Sequence, residues 1–315
     1  MIKAYIKQLK KNASNVSEGL DIMWSTIRYG ASPNNYRDFG FKNLTGKERA
    51  TYVTNRLSRK LIKKCNHNEY IDIFEDKVQF AQRFEKYFGR SWLDTEDMDY
   101  KKFSEFIQGK DKIIYKPTEN AQGQGIIVYD DLNDGRQVFN EIKENGEKAI
   151  LEEWICQHEE LERIYSKAIN CLRIITFYNK DRVNFLAGGV TWGNGKKIAN
   201  ASASGIVSPV NFENGKLEKP AADFFGKVYE RHPITGENLI GISLPYWNEI
   251  ILMLQSAAKE IPQIAYVGWD IAVTPSGPII IEGNTTPGYR YYQIPAHMDN
   301  KMGNRKIYEA CLKEL

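Results

Sequence analysis

Cysteine and histidine are both scarce, with four of each in 315 residues. Cys65, Cys156, Cys171 and Cys311 lie far apart with no CxxC spacing. That excludes a sequence-evident thiolate metal site or disulfide framework and predicts free thiols in a reducing cytoplasm. His67, His158, His232 and His297 form no ligand cluster and no Ser/His or Cys/His grouping, so nothing points to a covalent nucleophile. No apolar run approaches the roughly 18 residues that cross a bilayer. The opening Met1-Ile2-Lys3-Ala4-Tyr5 is followed by no apolar signal-peptide core. Internal repeats and low-complexity tracts are missing too. No RRM, KH, zinc-finger or helix-turn-helix pattern occurs, so nucleic acid is not expected as a partner.

What is there is ordinary globular composition, 42% hydrophobic and 26% charged, in a chain long enough for two or three subdomains. The net charge of +3 hides an asymmetry: residues 1–64 hold 14 Lys or Arg against Glu18, Asp21, Asp38 and Glu48. This leader reads as helix over its first 29 residues. Ile2, Tyr5, Ile6 and Leu9 form one stripe, with Lys3, Lys7, Lys10 and Lys11 on the other face. Either the stripe packs on the body of the protein, or the basic helix makes weak peripheral contact with a membrane. Gly30 to Asn35 breaks the pattern, and Gly46 to Lys64 reads as helix again, entered through Thr45.

From residue 70 the pattern alternates strands and helices. Strands are expected at 113–115, 126–129, 149–152, 172–178, 266–273 and 279–282, and helices at 133–144 and 246–261. Hairpins mixed with packed helices predict α+β subdomains. The expected division is a basic helical segment at 1–69, then units at 70–150 and 151–315.

Three segments carry candidate chemistry. In the first, Pro275-Ser276-Gly277-Pro278 supplies a turn between two apolar runs. A hairpin centred near Ser276 sets Asp270 opposite Glu282, and Asn284 joins them because side chains alternate faces. Two carboxylates and an amide with no basic residue interleaved suit Mg²⁺. Facing each other unscreened, the acids would repel without a cation. In the second, Lys116 ends a strand that runs into a loop with Gln122, Gly123 and Gly125. Such a loop lets backbone N–H groups approach phosphates, though it is no Walker A loop. In the third, Glu152-Glu153-Trp154-Ile155 leads from a strand into an extended connector. A connector of this kind can offer backbone groups to an adenine edge and a carboxylate to ribose.

In order and spacing these segments resemble the ATP-grasp superfamily. Asn170 and Arg173 in Ala168–Thr176, with Asn200 to Val210, make the chain most similar to the sugar-transfer-associated ATP-grasp group. The resemblance implies an ATP-grasp fold, two α/β subdomains clasping ATP, over about residues 70–291. It implies Lys77 and Lys116 as nucleotide lysines, with Gln122, Gly123 and Gly125 closing over the phosphates. Glu152 would approach the adenine amine, Glu153 and Ile155 would offer backbone contacts, and Glu159 would hold the ribose. Asp270, Glu282 and Asn284 would bind Mg²⁺, Arg173 and Lys116 would act on the transferring phosphoryl group, and Asn170, Asn200, Ser204, Gly205 and Arg290 would meet substrate. In the 199–205 segment Ala199 and Ser204 depart from the group's usual pairs.

The activity this implies is an ADP-forming ligase that activates a small carboxylate as an acyl phosphate for attack by an amine, with ATP and Mg²⁺. Both substrates would be small molecules, and the resemblance implies that the carboxylate or the amine belongs to a sugar acid or amino sugar of a surface polysaccharide precursor. A kinase that phosphorylates a hydroxyl, and a non-catalytic scaffold for glycosyltransferases, remain alternatives.

Overall fold

The computed structural model describes residues 2–118, 124–195 and 205–314, without the side chains of Ile2 and Glu314. The leader is five helices: α1 (Ile2–Asn12), α2 (Val16–Tyr29), α3 (Pro33–Asp38), α4 (Gly46–Arg49) and α5 (Asn55–Cys65). The single helix expected over the first 29 residues is broken because the Asn15 side chain accepts the Glu18 N–H and starts a new helix. The helix expected over 46–64 is likewise two pieces, α4 and α5. At Gly30 the backbone turns left-handed (φ 70°), and a Cβ there would lie 2.3 Å from that of Arg56. Three short helices follow: α6 (Asp72–Glu75), α7 (Lys77–Arg83) and α8 (Glu85–Phe88).

A four-stranded antiparallel sheet comes next, in the order β1-β4-β2-β3. It comprises β1 (Trp92–Asp94), β2 (Ile113–Pro117), β3 (Ile127–Tyr129) and β4 (Ala149–Glu153). Helices α9 (Tyr100–Ile107) and α10 (Gly135–Asn145) cover one face, burying Phe103, Phe106, Ile113, Tyr115, Val138 and Leu151. Because side chains alternate, Lys116 and Glu152 stand on the opposite face.

After α11 (Glu159–Ile164), the chain builds β5 (Cys171–Asn179), β6 (Arg182–Trp192), β7 (Ile206–Pro209), β8 (Lys216–Leu217), β9 (Ala221–Ala222), β10 (Val228–Tyr229) and β11 (Ile242–Ser243). Helix α12 (Trp247–Ala257), β12 (Tyr266–Thr274), β13 (Gly277–Asn284) and α13 (Arg305–Glu314) complete it. Seven strands form an antiparallel sheet ordered β10-β9-β7-β6-β5-β12-β13. One face buries Leu172, Ile174, Val267, Trp269 and Ile271 in a core shared with α7 and α12. The other packs Ile175, Phe177 and Tyr266 against Phe39, Phe41, Tyr52, Leu57 and Leu61 of the leader. The leader is therefore part of the core, although of the described side chains in the α1 stripe only Leu9 packs against that cluster and Ile6 is exposed. Asn66 fastens it: its amide donates to the Tyr266 and Thr285 carbonyls (2.8 and 2.7 Å), and its oxygen accepts the Tyr266 N–H (3.0 Å). Among the described residues no helix is long and apolar enough to cross a membrane.

Phe41 is fully buried between leader and sheet, whereas Leu20 lies on the outer side of α2. Phe41→Ala is expected to lower urea-unfolding stability by about 3–5 kcal/mol. Leu20→Ser should stay within about 0.5 kcal/mol of wild type in the same titration. Equal losses would contradict this division of the leader into an inner and an outer face.

Candidate functional site

The site begins with a hairpin. Its turn is Pro275-Ser276, and β12 and β13 pair Thr274 with Gly277, Val273 with Pro278, Ala272 with Ile279 and Ile271 with Ile280. One residue further the register shifts, and Asp270 pairs with Glu282. Ile281 is thus an extra residue, a β-bulge. Turn and bulge offset each other: the turn is not centred on Ser276, and without the bulge Asp270 would face Ile281. Gly283 completes the local shape, since a Cβ there would come within 2.7 Å of the Phe74 ring.

Asp270 and Glu282 do not face each other unscreened. Strand β5 sets Arg173 directly opposite Asp270. Its guanidinium grips the carboxylate with two bonds, Nε to Oδ1 at 2.5 Å and Nη2 to Oδ2. The hairpin itself has no interleaved base, as expected, but the neighbouring strand supplies one. Burial works against the Arg173 charge, and Asp270 outweighs it, so its pKa rises. Glu282 has no such partner. Burial first, and then the charge of Asp270, push its carboxyl well above the usual carboxylate range. The Asn284 amide lies 3.5 Å from Asp270 Oδ2 and 3.4 Å from Glu282 Oε1. Two carboxyl groups and an amide on one face, with Glu282 the carboxyl that burial raises, are a fitting donor set for a hard divalent ion. Among the described residues no group of three or more His, Cys, Asp or Glu competes with it.

Beside this hairpin the four-stranded sheet contributes Lys116, whose Nζ is 2.7 Å from Glu152. Lys77 is the first residue of α7, capped by Asp76, and its Nζ donates to the Pro117 carbonyl at 2.9 Å. Burial draws the Lys77 ammonium below its usual pKa, Glu282 opposes this and Lys116 adds to it. Lys77, Lys116, Glu152 and Glu282 line one small pocket of about 50 Å³. A nucleotide-sized ligand needs several hundred, more than this pocket offers as it stands.

Glu152 and Asn170 differ from what the resemblance implied. The buried Glu152 carboxylate is held through Oε2 by both Arg90 (2.6 Å) and Lys116, contacts the resemblance did not imply. The buried Asn170 cannot meet substrate: its amide donates to Gln157, Leu161 and Tyr165, and its oxygen accepts the Gly193 N–H. It pins the chain between α11 and β5. The Glu153 N–H is likewise taken by the Ser91 carbonyl and its carboxylate by the Ser91 hydroxyl. Ile155 is half-buried, Glu159 is exposed at the start of α11, and Gly125 sits in a turn at φ 73°. Arg290 is paired with Asp38 at 2.6 Å. Gly205 is buried just before β7. Gln122, Gly123, Asn200 and Ser204 lie outside the described residues.

Arg90 carries no motif signal, yet it joins the two sheets. Besides Glu152 it donates to the Ile280 carbonyl (2.9 Å) and the Ile281 carbonyl (3.3 Å), at the bulge itself. Its guanidinium also stacks over Phe88 at 3.4 Å. A far larger cleft, of about 1550 Å³, opens between the leader and the segment after Asn284. Arg59, Lys63 and Arg290 are among its lining residues.

The sequence pattern of the family described as Sugar-transfer associated ATP-grasp matches residues 56–300. The chain belongs to that family. The two sheets with their site at the junction are its ATP-grasp fold. Three solved structures illustrate the similarity. The ADP complex of purK, N5-carboxyaminoimidazole ribonucleotide synthetase, is 12% identical over 75% of this chain and 52% of its own, with a TM-score of 0.46. The ATP-grasp ligase PsnB with a minimal precursor is 14% identical over 79% and 63%, TM-score 0.48. D-alanyl-alanine synthetase A from Vibrio cholerae O1 biovar eltor is 11% identical over 76% and 64%, TM-score 0.45. The chain thus spans about half to two thirds of the length of these proteins. No curated protein matches its sequence significantly.

Burial opposes ionisation of Glu152, but Arg90 and then Lys116 win and pull its pKa below the ordinary value of 4.5. A depressed carboxylate stabilises the fold fully above the unfolded value and loses that effect as pH falls through the folded one. Glu152→Gln should therefore destabilise at neutral pH by about 3 kcal/mol or more, leaving buried cations unpaired. Chemical denaturation as a function of pH should show the gap to wild type narrowing only below the ordinary Glu range. A pH-independent gap would contradict the ion-pair account.

Proposed function

We propose that this ATP-grasp protein is an ADP-forming carboxylate–amine ligase, with ATP held between the 70–150 and 151–315 subdomains. The observation that carries the reading is the convergence of Lys77, Lys116 and Glu282 on one pocket, beside Asp270, Asn284 and Arg173. The chemical difficulty is charge, since a carboxylate must attack a polyanionic phosphoryl group. Mg²⁺ held by Asp270, Glu282 and Asn284 would neutralise phosphate oxygens and favour in-line transfer. Lys116 can turn from Glu152 toward a phosphate because Arg90 keeps Glu152 compensated. Lys77 brings a second ammonium from the start of α7. Arg173 is placed to share its positive charge between Asp270 and the transferring group. Ile155 would meet the adenine edge, as no hydrogen bond occupies its amide among the described residues.

The acyl phosphate formed from a small carboxylate would then yield an amide on attack by an amine, releasing phosphate. We place the acceptor in the larger cleft, whose Arg59 and Lys63 suit an anionic sugar-linked molecule. The sugar-transfer association of the family favours a precursor of surface polysaccharide. Cytoplasmic action fits four cysteines that are all free thiols.

A library of carboxylates and amines, assayed for ADP and free phosphate, tests the reaction. Amine-dependent phosphate release is the expected result, and phosphate retained on a hydroxyl product would identify a kinase instead. Within this assay Glu282→Gln should lower kcat by about 10²-fold or more while ATP still binds. Lys116→Ala should weaken ATP binding itself. A fully active Glu282→Gln enzyme would remove Glu282 from the magnesium site.

A further inference from the structure

Helix α2 presents its apolar side to solvent. At about 100° per residue, Val16, Leu20, Met23, Trp24 and Ile27 fall on one stripe. They are 81, 62, 44, 57 and 68% exposed. The opposite side buries Ile22 and Ser25 and ties Asp21 to Arg49 and Tyr36. A helix that hides a serine and an ion pair while baring five large apolar side chains is built to meet a second surface.

Helix α1 packs beside it and shows what that surface is. Its Tyr5 hydroxyl lies 3.0 Å from Thr26, and Leu9 packs on the leader core, so those members of its stripe face inward. Its outer side exposes Lys3, Lys7 and Lys10 around Ile6. The leader's acids cannot offset these lysines, because each is already engaged. Glu18 is bound by Ser14 and Lys42, Asp21 by Arg49, Asp38 by Arg37 and Arg290, and Glu48 caps Thr45. The leader therefore presents exposed lysines on α1 as well as the exposed apolar stripe of α2.

We propose that α1 and α2 together form a docking face for an anionic lipid bilayer. The α2 stripe enters the boundary between headgroups and acyl chains, with Trp24 at the level where indoles settle. The α1 lysines engage the lipid phosphates. A second copy of the chain is the poorer occupant, since two-fold pairing would press two strongly basic leaders together. Attachment is peripheral, and it does not depend on the ligase reading. Because α1 and α2 also supply Tyr5, Gln8 and Thr26 to the large cleft, docking holds that cleft near the leaflet.

Sedimentation of the full chain tests this, using phosphatidylcholine vesicles with and without about 30% phosphatidylserine at low ionic strength. Binding to the anionic vesicles should be at least about tenfold tighter. The doubly substituted L20E/I27E chain should lose at least about tenfold of that binding while melting as wild type does. Brominated lipid should quench wild-type fluorescence more than that of Trp24→Phe. No binding to anionic vesicles would overturn the proposal, as would undiminished binding by the double variant. So would a concentration-dependent dimer that the double variant dissolves.

Discussion

A single buried guanidinium ties together the two sheets that meet at the candidate site. Arg90 neutralises Glu152 on the four-stranded sheet and donates to the two carbonyls at the bulge of β13. A β-bulge leaves ladder groups without a strand partner, and such groups are costly when buried. Arg90 satisfies them and, in doing so, stabilises the irregularity that sets Glu282 opposite Asp270. Register, charge and the meeting of the sheets thus converge on one side chain.

The electrostatics around this junction are graded. Asp270 is held by Arg173, Glu152 by Arg90 and Lys116, and Glu282 alone lacks a close cation while sitting near two lysines. Glu282 is thus the carboxyl held nearest its neutral form, by burial and by the charge of Asp270. That is where an incoming cation gains most, since it relieves both desolvation and the repulsion from Asp270.

Much of this was legible in the sequence because it is local. The Pro275–Pro278 turn between apolar runs announced the hairpin, and alternation placed Asn284 with Glu282. The facing of Asp270 and Glu282 was reached through a symmetric turn that is not there, since a bulge has no marker of its own. Arg90, Asn66 and the buried bonding of Asn170 were invisible for a different reason. Their partners include residues from 9 to more than 200 positions away, and a lone polar residue carries no sign that it will be buried. In the leader, continuous periodicity concealed the Asn15 cap. Burial of one face of α2 rather than another was decided by packing, so its outward apolar stripe could not be told from a core-facing one.

The Asn66 clamp joins the leader to the large sheet. Its three hydrogen bonds grip the start of β12 and the chain just beyond Asn284, while the aromatic cluster of the leader lies flat against the same sheet. Leader, large sheet and β13 are thereby held together as one packed unit. The four-stranded sheet meets them chiefly through one side chain, by the ion pair and carbonyl contacts of Arg90.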